Sequence, residues 1–377
     1  MKRFCVLFIV FLLTLSSFGF ADEEANPEFL TAKAKIIEMV SDTDDGKGDK
    51  YSTDLSYRIQ TARIKILDGK FKNKEFQIDH NISGNFAYDI VLEKGDKIII
   101  SISENGTNTP EILVSDFARD SYLLGLVIIF IALLLIIGGL KGFKSVITLL
   151  ITGAVIMYAM LPLILKGFSP IIVTIVAAIF IAFMTFIIVG GLNSKSVAAL
   201  VGTASGVIIA GILAYIVGSM VKLTGLSSEE AGMLMHIPQG IQFDFRSLLF
   251  SGIIIGTLGA VMDVAMSISS SMYELKEISP DMDHKSLIKS GFNIGKDIMG
   301  TMSNTLILAY TGSSVPLLLL FMSYNTSLSK ILNLDLIATE VVRALVGSIG
   351  LVVAIPITAV CAGLIFKSDS NKKGSID

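Results

Sequence analysis

Seven apolar runs govern what this chain can fold into. They cover approximately 121–139, 146–165, 170–190, 196–219, 247–268, 299–322 and 341–366. At about 1.5 Å rise per residue, each is long enough to cross a hydrocarbon layer of about 30 Å as a helix. Lipid cannot satisfy free backbone groups, so a spanning segment must be a helix or part of a closed barrel. No alternating barrel pattern occurs in these runs, which leaves helices. Composition agrees: 52% of the 377 residues are hydrophobic and 17% are charged, against roughly 25% charged in a soluble domain. A net charge of −3 offers no basic surface, so nucleic acid is not an expected partner. Trp is absent, and any interfacial aromatic belt must be built from Tyr and Phe.

The charge is concentrated between Asp22 and Asp120 and sparse from Ser121 onward. One segment is built for water, the other for lipid. Lys2 and Arg3, the apolar run Phe4 to Phe18, and Gly19-Phe20-Ala21 before Asp22 form a signal-peptide pattern over 1–21. The alternative is an uncleaved anchor. Either way residues 22–118 are expected outside the cytoplasm. With that start, the loops carrying Lys141, Lys144, Lys195, Lys276, Lys285, Lys289 and Lys296 fall on the cytoplasmic side with the tail 367–377, against Lys166, Lys222, Arg246, Lys330 and the span-edge Arg343 outside. That distribution obeys the positive-inside rule. The fold expected is a polytopic α-helical membrane protein, seven spans after a signal peptide, with an N-terminal extracytoplasmic small β-barrel of OB-like form. The membrane domain is 119–366. Residues 270–298 mix apolar and charged groups and read as an amphipathic helix along the inner surface.

In the exported segment six strands are expected, at Thr31–Val40, Tyr57–Leu67, Glu75–Asp79, Tyr88–Leu92, Lys97–Ile102 and Glu111–Val114. Turns are expected at Asp44-Asp45-Gly46, at Glu104-Asn105-Gly106, and at Gly95-Asp96, which launches a β-branched strand. His80 stands alone, and a metal site needs three or four ligands. The two cysteines, Cys5 and Cys361, leave this domain without a disulfide.

Asp263, in the fifth run, is the residue whose position most needs explaining, since a carboxylate in hydrocarbon is costly. Gly252, Gly256 and Gly259 precede it at i−11, i−7 and i−4 and share its helix face. Small residues let another helix approach, so Asp263 is expected to be buried between helices, either as a proton-relay group or as a structural hydrogen-bond partner. Thr301, Asn304 and Thr305 in the sixth run are its candidate partners along a transport path; the alternative role is helix-to-helix adhesion. Asp297 stands at the cytoplasmic mouth of that run, where a helix N-terminus would suit it. Glu340 and Arg343 form an i,i+3 pair at the outer edge of the seventh run, and Pro356 is expected to kink that helix. No phosphate loop, HExxH or GxSxG pattern occurs. Neither an enzymatic activity nor a cofactor is therefore expected, and no metal site.

These residues also carry a family likeness. Lys166-Gly167-Phe168-Ser169-Pro170, Gly190-Gly191-Leu192-Asn193-Ser194-Lys195-Ser196, Leu258-Gly259-Ala260-Val261-Met262-Asp263-Val264 and Ser290-Gly291-Phe292-Asn293-Ile294-Gly295-Lys296-Asp297-Ile298-Met299-Gly300-Thr301 resemble the YibE/F family. Glu340-x-x-Arg343 and the Lys94-Gly95-Asp96 phrase extend the likeness over the mature chain. Lys296 stands where arginine is often expected. The resemblance implies a bacterial inner-membrane protein and little biochemistry. A shorter phrase, Gly259-x-x-x-Asp263-Val264 before a Thr-rich span, is similar to the membrane core of SecD/SecF and other RND-type proteins, where an intramembrane carboxylate supports proton-coupled work.

Two functional readings follow. The first is a transporter or proton-coupled export component using Asp263. The second is a non-transporting membrane anchor or scaffold, whose exported β domain binds a partner or envelope ligand. The bilayer is the expected surrounding, and a homodimer, or a heterodimer with a second family member, is the expected assembly.

Overall fold

The computed structural model describes residues 29–43, 58–82, 89–103, 110–236, 243–324 and 327–373. The signal peptide expected at 1–21 lies outside them, as do the turns expected at Asp44-Asp45-Gly46 and Glu104-Asn105-Gly106. The described chain forms two compact units, one comprising the N-terminal sheet and the first helix up to Leu133, the other everything from Leu134.

The sheet has five antiparallel strands, β1 (Phe29–Asp42), β2 (Arg58–Ile66), β3 (Glu75–Ile82), β4 (Lys97–Ser103) and β5 (Glu111–Phe117), in the order β3-β2-β1-β4-β5. Period-2 patterning sends one face inward: Ala32, Ala34 and Ile36, then Ala62, Ile64 and Ile66, then Ile98, Ile100 and Ile102 form a single core. β1 pairs with both β2 and β4, and it is interrupted against β2 by irregularities at Ile36/Glu38 and Met39/Ser41. Such bulges coil a strand, and the sheet curls until β3 and β5 touch. Gly95, at φ 100°, makes the turn into β4, as expected.

Tyr88–Leu92 is the exception among the six expected strands. Its described part, 89–92, is not a strand. The Leu92 amide donates to Gln60 Oε1 at 2.8 Å, and Gln60 Nε2 donates to the Leu92 carbonyl at 3.3 Å. The carboxamide of buried Gln60 thus replaces a strand neighbour, since it carries the same donor and acceptor as a peptide group. His80 is occupied too: its Nε2–H donates to the Ile90 carbonyl at 2.8 Å.

The second unit is helical. Its elements are α1 (Asp120–Leu165, beginning in the first unit), α2 (Pro170–Gly190), α3 (Ser194–Met220), the short α4 (Glu229–Leu234), α5 (Phe245–Ile278), α6 (His284–Ser313), the short α7 (Val315–Ser323) and α8 (Leu328–Leu332), and α9 (Asp335–Lys373). Five of these, α1, α2, α3, α5 and α9, are long and apolar enough to cross a membrane; α6 and α7 together make a sixth, bent by 59°. Ser228 caps α4, accepting from the Ala231 amide at 3.2 Å.

Residues 270–298 are not a helix lying along the surface. They are the ends of α5 and α6, which continue past their apolar stretches and meet at the short connection 279–283. Met272, Leu287, Ala359 and Phe366 bury one another there, and this shared core packs both helix ends against α9. The sixth apolar run is likewise divided: α6 ends at Ser313, and Pro316 opens α7 in a new direction. α9 runs helical through Pro356.

α3, α5 and α9 form the centre. α2 packs on α3 and α5, and α6 on α5 and α9. Small residues set the spacing. Gly202, Gly206, Ala210, Ala214 and Gly218 repeat every fourth position along α3 and are all buried. A Cβ on Gly206 would lie 2.9 Å from the Gly350 carbonyl oxygen of α9 and 3.0 Å from Val261 of α5. Backbones approach this closely only where Cβ atoms are absent or small.

Candidate functional site

Gly252, Gly256, Gly259 and Asp263 do share one face of α5, and Ser267 and Glu274 extend it toward the α5–α6 connection. The face differs from expectation in one respect. It is open in the single chain: all six residues are exposed, while Ile253, Ile254, Val261, Val264 and Ile268 on the opposite side are buried. A Cβ on Gly252 or Gly259 would meet nothing within 4 Å. The glycines that sequence spacing assigned to a packed seam are therefore largely unpacked, and the packed seam is the one on α3. Its four-residue repeat was visible in the sequence.

α6 borders this open face. Gly291 packs on Met272, Gly295 on Ile268, and Tyr310 on Gly256, so α5 and α6 run antiparallel. That register sets Asp263 level with the Thr301 turn. Gly300, Thr301, Asn304 and Thr305 are exposed on α6, and a Cβ on Gly300 would also meet nothing within 4 Å. The hydroxyl of Thr301 donates to the Ile298 carbonyl, and that of Thr305 to the Thr301 carbonyl, each at 2.9 Å. These bonds use the donors within the helix. Among the described residues neither the Asp263 nor the Asn304 side chain has a hydrogen bond or ion pair. The result is a polar strip of groups on two helices, at the depth where an apolar helix would carry none.

Asp297 is exposed beside Lys296. The helix-terminus role expected for it does not arise, because α6 begins at His284 and Asp297 lies in its interior. Glu340 and Arg343 do form their predicted i,i+3 pair, at 2.9 Å, and both side chains are more than two-thirds buried. Sequence reasoning missed Tyr310, whose hydroxyl would sit 2.7 Å from a Cβ on Gly256; only the helix register brings it there. Among the described residues no three His, Cys, Asp or Glu side chains gather as a metal site requires.

The apolar helices and the curled sheet together define a membrane-embedded helical protein with a separate small β domain. Sequence profiles then specify which one. A profile described as YibE/F-like protein matches residues 126–368, and one described as YibE/F family N-terminal domain matches residues 30–117. The chain belongs to the YibE/F family. No curated protein and no solved structure matches it.

Proposed function

We propose that this chain is a transporter or proton-coupled export component of the bacterial inner membrane, with Asp263 as its proton site. The observation that carries the reading is the open strip itself. A carboxylate on α5 and a carboxamide on α6, both exposed in the single chain, lie within about one helical turn of the same level by the register of the two helices. A group so placed is costly unless it is used. Thr301 lies level with Asp263 by helix register, Thr305 continues the path, and Asn304, about one turn along α6, offers the carboxamide. No enzymatic step and no cofactor enter the proposal. A SecD/SecF-like use of the carboxylate belongs to the same reading.

Seven spans fit the helices as follows. α1, at 46 residues, would be about 69 Å long if straight, more than twice a hydrocarbon layer. It breaks at Gly139, with φ 52° and ψ −129°, and Gly142 packs directly on the Leu134 backbone. Residues eight apart touch only when the chain turns back. α1 is counted as two spans, and α6 with α7 as one. The signal peptide rests on the pattern over 1–21, and the lysine distribution supports an extracytoplasmic 22–118 domain and a cytoplasmic C-terminus. A second copy, or a second family member, covers the open face and shields Asp263 from lipid.

The test uses vesicles holding the full-length protein and a pool of small cytosolic solutes. An imposed proton gradient is expected to move solute with the natural sequence and not with Asp263→Asn. Equal movement by both sinks the transport reading. The scaffold reading is favoured by one observation, that the β domain is a compact unit with its own core. Capture of a specific partner by residues 22–118 alone, with Asp263→Asn fully functional in cells, would establish it instead.

A further inference from the structure

Three polar atoms near the Asp335 end of the α5–α6 groove lack partners. The Tyr310 hydroxyl, Glu340 Oε2 and Arg343 Nε are buried and make no hydrogen bond among the described residues. Helix register brings them together. α6 and α9 run antiparallel, with Gly295 on Ile355, Gly291 on Ala359 and Ile288 on Gly363. Continued along both helices, that register sets Tyr310 level with Glu340. Tyr310 is within electrostatic reach of both Glu340 and Arg343. Two other charges at this end are engaged elsewhere: Asp335 accepts from the Thr224 hydroxyl at 2.6 Å, and Arg246 donates to the Leu223 carbonyl at 2.9 Å. On α5 the titratable groups of the open face are Asp263 and, toward the α5–α6 connection, Glu274.

One buried orphan is costly, and three at one place are best satisfied together by water, which needs roughly two to four polar partners. The set suits water: Arg343 Nε offers a donor, Glu340 Oε2 an acceptor, and the Tyr310 hydroxyl both. From there the groove floor is glycine. Tyr310 can rest over position 256 because no Cβ is present, and Gly259 leaves open space beyond it. Gly256 to Asp263 is seven residues, about 10 Å along the helix.

We propose that Tyr310, Glu340 and Arg343 form a hydrated site that passes protons to Asp263 along the glycine floor of α5. A proton arriving at the water on Glu340 is handed through the Tyr310 hydroxyl, which accepts from one water and donates to the next, and ends on the Asp263 carboxylate. No bond other than O–H is made or broken, and no electron moves. The inference rests on the reading of Asp263 as a proton site, with the groove closed by a second copy.

The test reads the protonation of Asp263 by mass spectrometry after reaction with a hydrophobic carbodiimide, which modifies the protonated acid. Full-length protein is placed in vesicles with the Asp335 side and the Lys276 side at different pH. The extent of reaction is expected to follow the pH of the Asp335 side, changing by up to about tenfold per pH unit above the carboxyl's pKa. Gly256→Leu, which fills the floor, is expected to abolish that dependence, and Tyr310→Phe, which removes one oxygen and little packing, to weaken it several-fold. Dependence on the Lys276 side in the unaltered protein overturns the inference while leaving Asp263 a proton site. So does dependence on the Asp335 side that survives both substitutions. Reaction of Asp263 that ignores pH on either side overturns the proton-site reading itself.

Discussion

Gly206→Ala adds one methyl group where α3 crosses α9. That methyl carbon would lie 2.9 Å from Ala354 Cβ, 2.9 Å from the Gly350 carbonyl oxygen and 3.0 Å from Val261. Carbon atoms rest at about 3.5–4.0 Å, so α3 and α9 must separate by roughly 0.5–1 Å. None of the three neighbours is the free end of a long side chain, so the backbone has to move. Overpacking of this kind costs about 1–3 kcal/mol. Replacing a helical glycine by alanine returns about 0.5–1 kcal/mol. The net expectation is a loss of about 1–2 kcal/mol. Gly252→Ala is the matched control: its methyl group meets nothing within 4 Å, so only the favourable backbone effect remains. The assay is dodecyl sulfate titration of the purified protein in mixed micelles, followed by far-ultraviolet circular dichroism. Gly206→Ala is expected to unfold at lower, and Gly252→Ala at equal or higher, dodecyl sulfate fraction than the natural sequence. The reverse order would refute the assignment of the packed face to α3 and the open face to α5.

Three further outcomes follow from other parts of the molecule. Gln60→Ala leaves the Leu92 amide and carbonyl unpaired in the β-domain core and is expected to cost about 1–3 kcal/mol, measured by urea unfolding of residues 22–118. The Phe117 amide, and after it the Arg119 guanidinium, hold the Asp116 carboxyl below the usual carboxylate range. Its stabilisation is therefore present above the unfolded pKa and lost as pH falls through the lowered folded value; Asp116→Asn is expected to flatten that acid limb of β-domain stability. Glu340→Gln and Arg343→Met should each destabilise the helical unit more than the two together, because each alone strands a largely buried charge; additive losses in a double-mutant cycle would contradict the pairing.

Several features were legible because their physical cause is local. The β-branched run Ile98-Ile99-Ile100 directly after the Gly95-Asp96 turn favours a strand, and β4 lies there. The run 170–190 opens on proline and closes before a glycine, and α2 has those bounds. Ser228 announces a helix because its hydroxyl reaches an amide three residues on. Other features depend on distant partners. The β-branched and aromatic residues around 88–92 suggest a strand, yet the neighbour that satisfies Leu92 is a side chain 32 residues earlier in the sequence. The charged residues of 270–298 suggest an interfacial helix, yet α9 supplies Ala359 and Phe366 to hold that segment as two helix ends.

Glycine stripes show the same division most clearly. The sequence alone determined a membrane-embedded chain, the placement of most apolar helices, a β domain ahead of them, and one carboxylate deep in the fifth run. It holds two stripes of small residues, on α3 and on α5, and spacing alone pointed to the one on α5 as the packed seam. A glycine stripe permits close approach but does not supply the approaching helix. Only the tertiary structure decided that α9 fills the stripe on α3 and that the stripe on α5 stays open. Because that second stripe is open, Asp263 faces a groove shared with α6 rather than the packed centre, and Tyr310 can settle over Gly256.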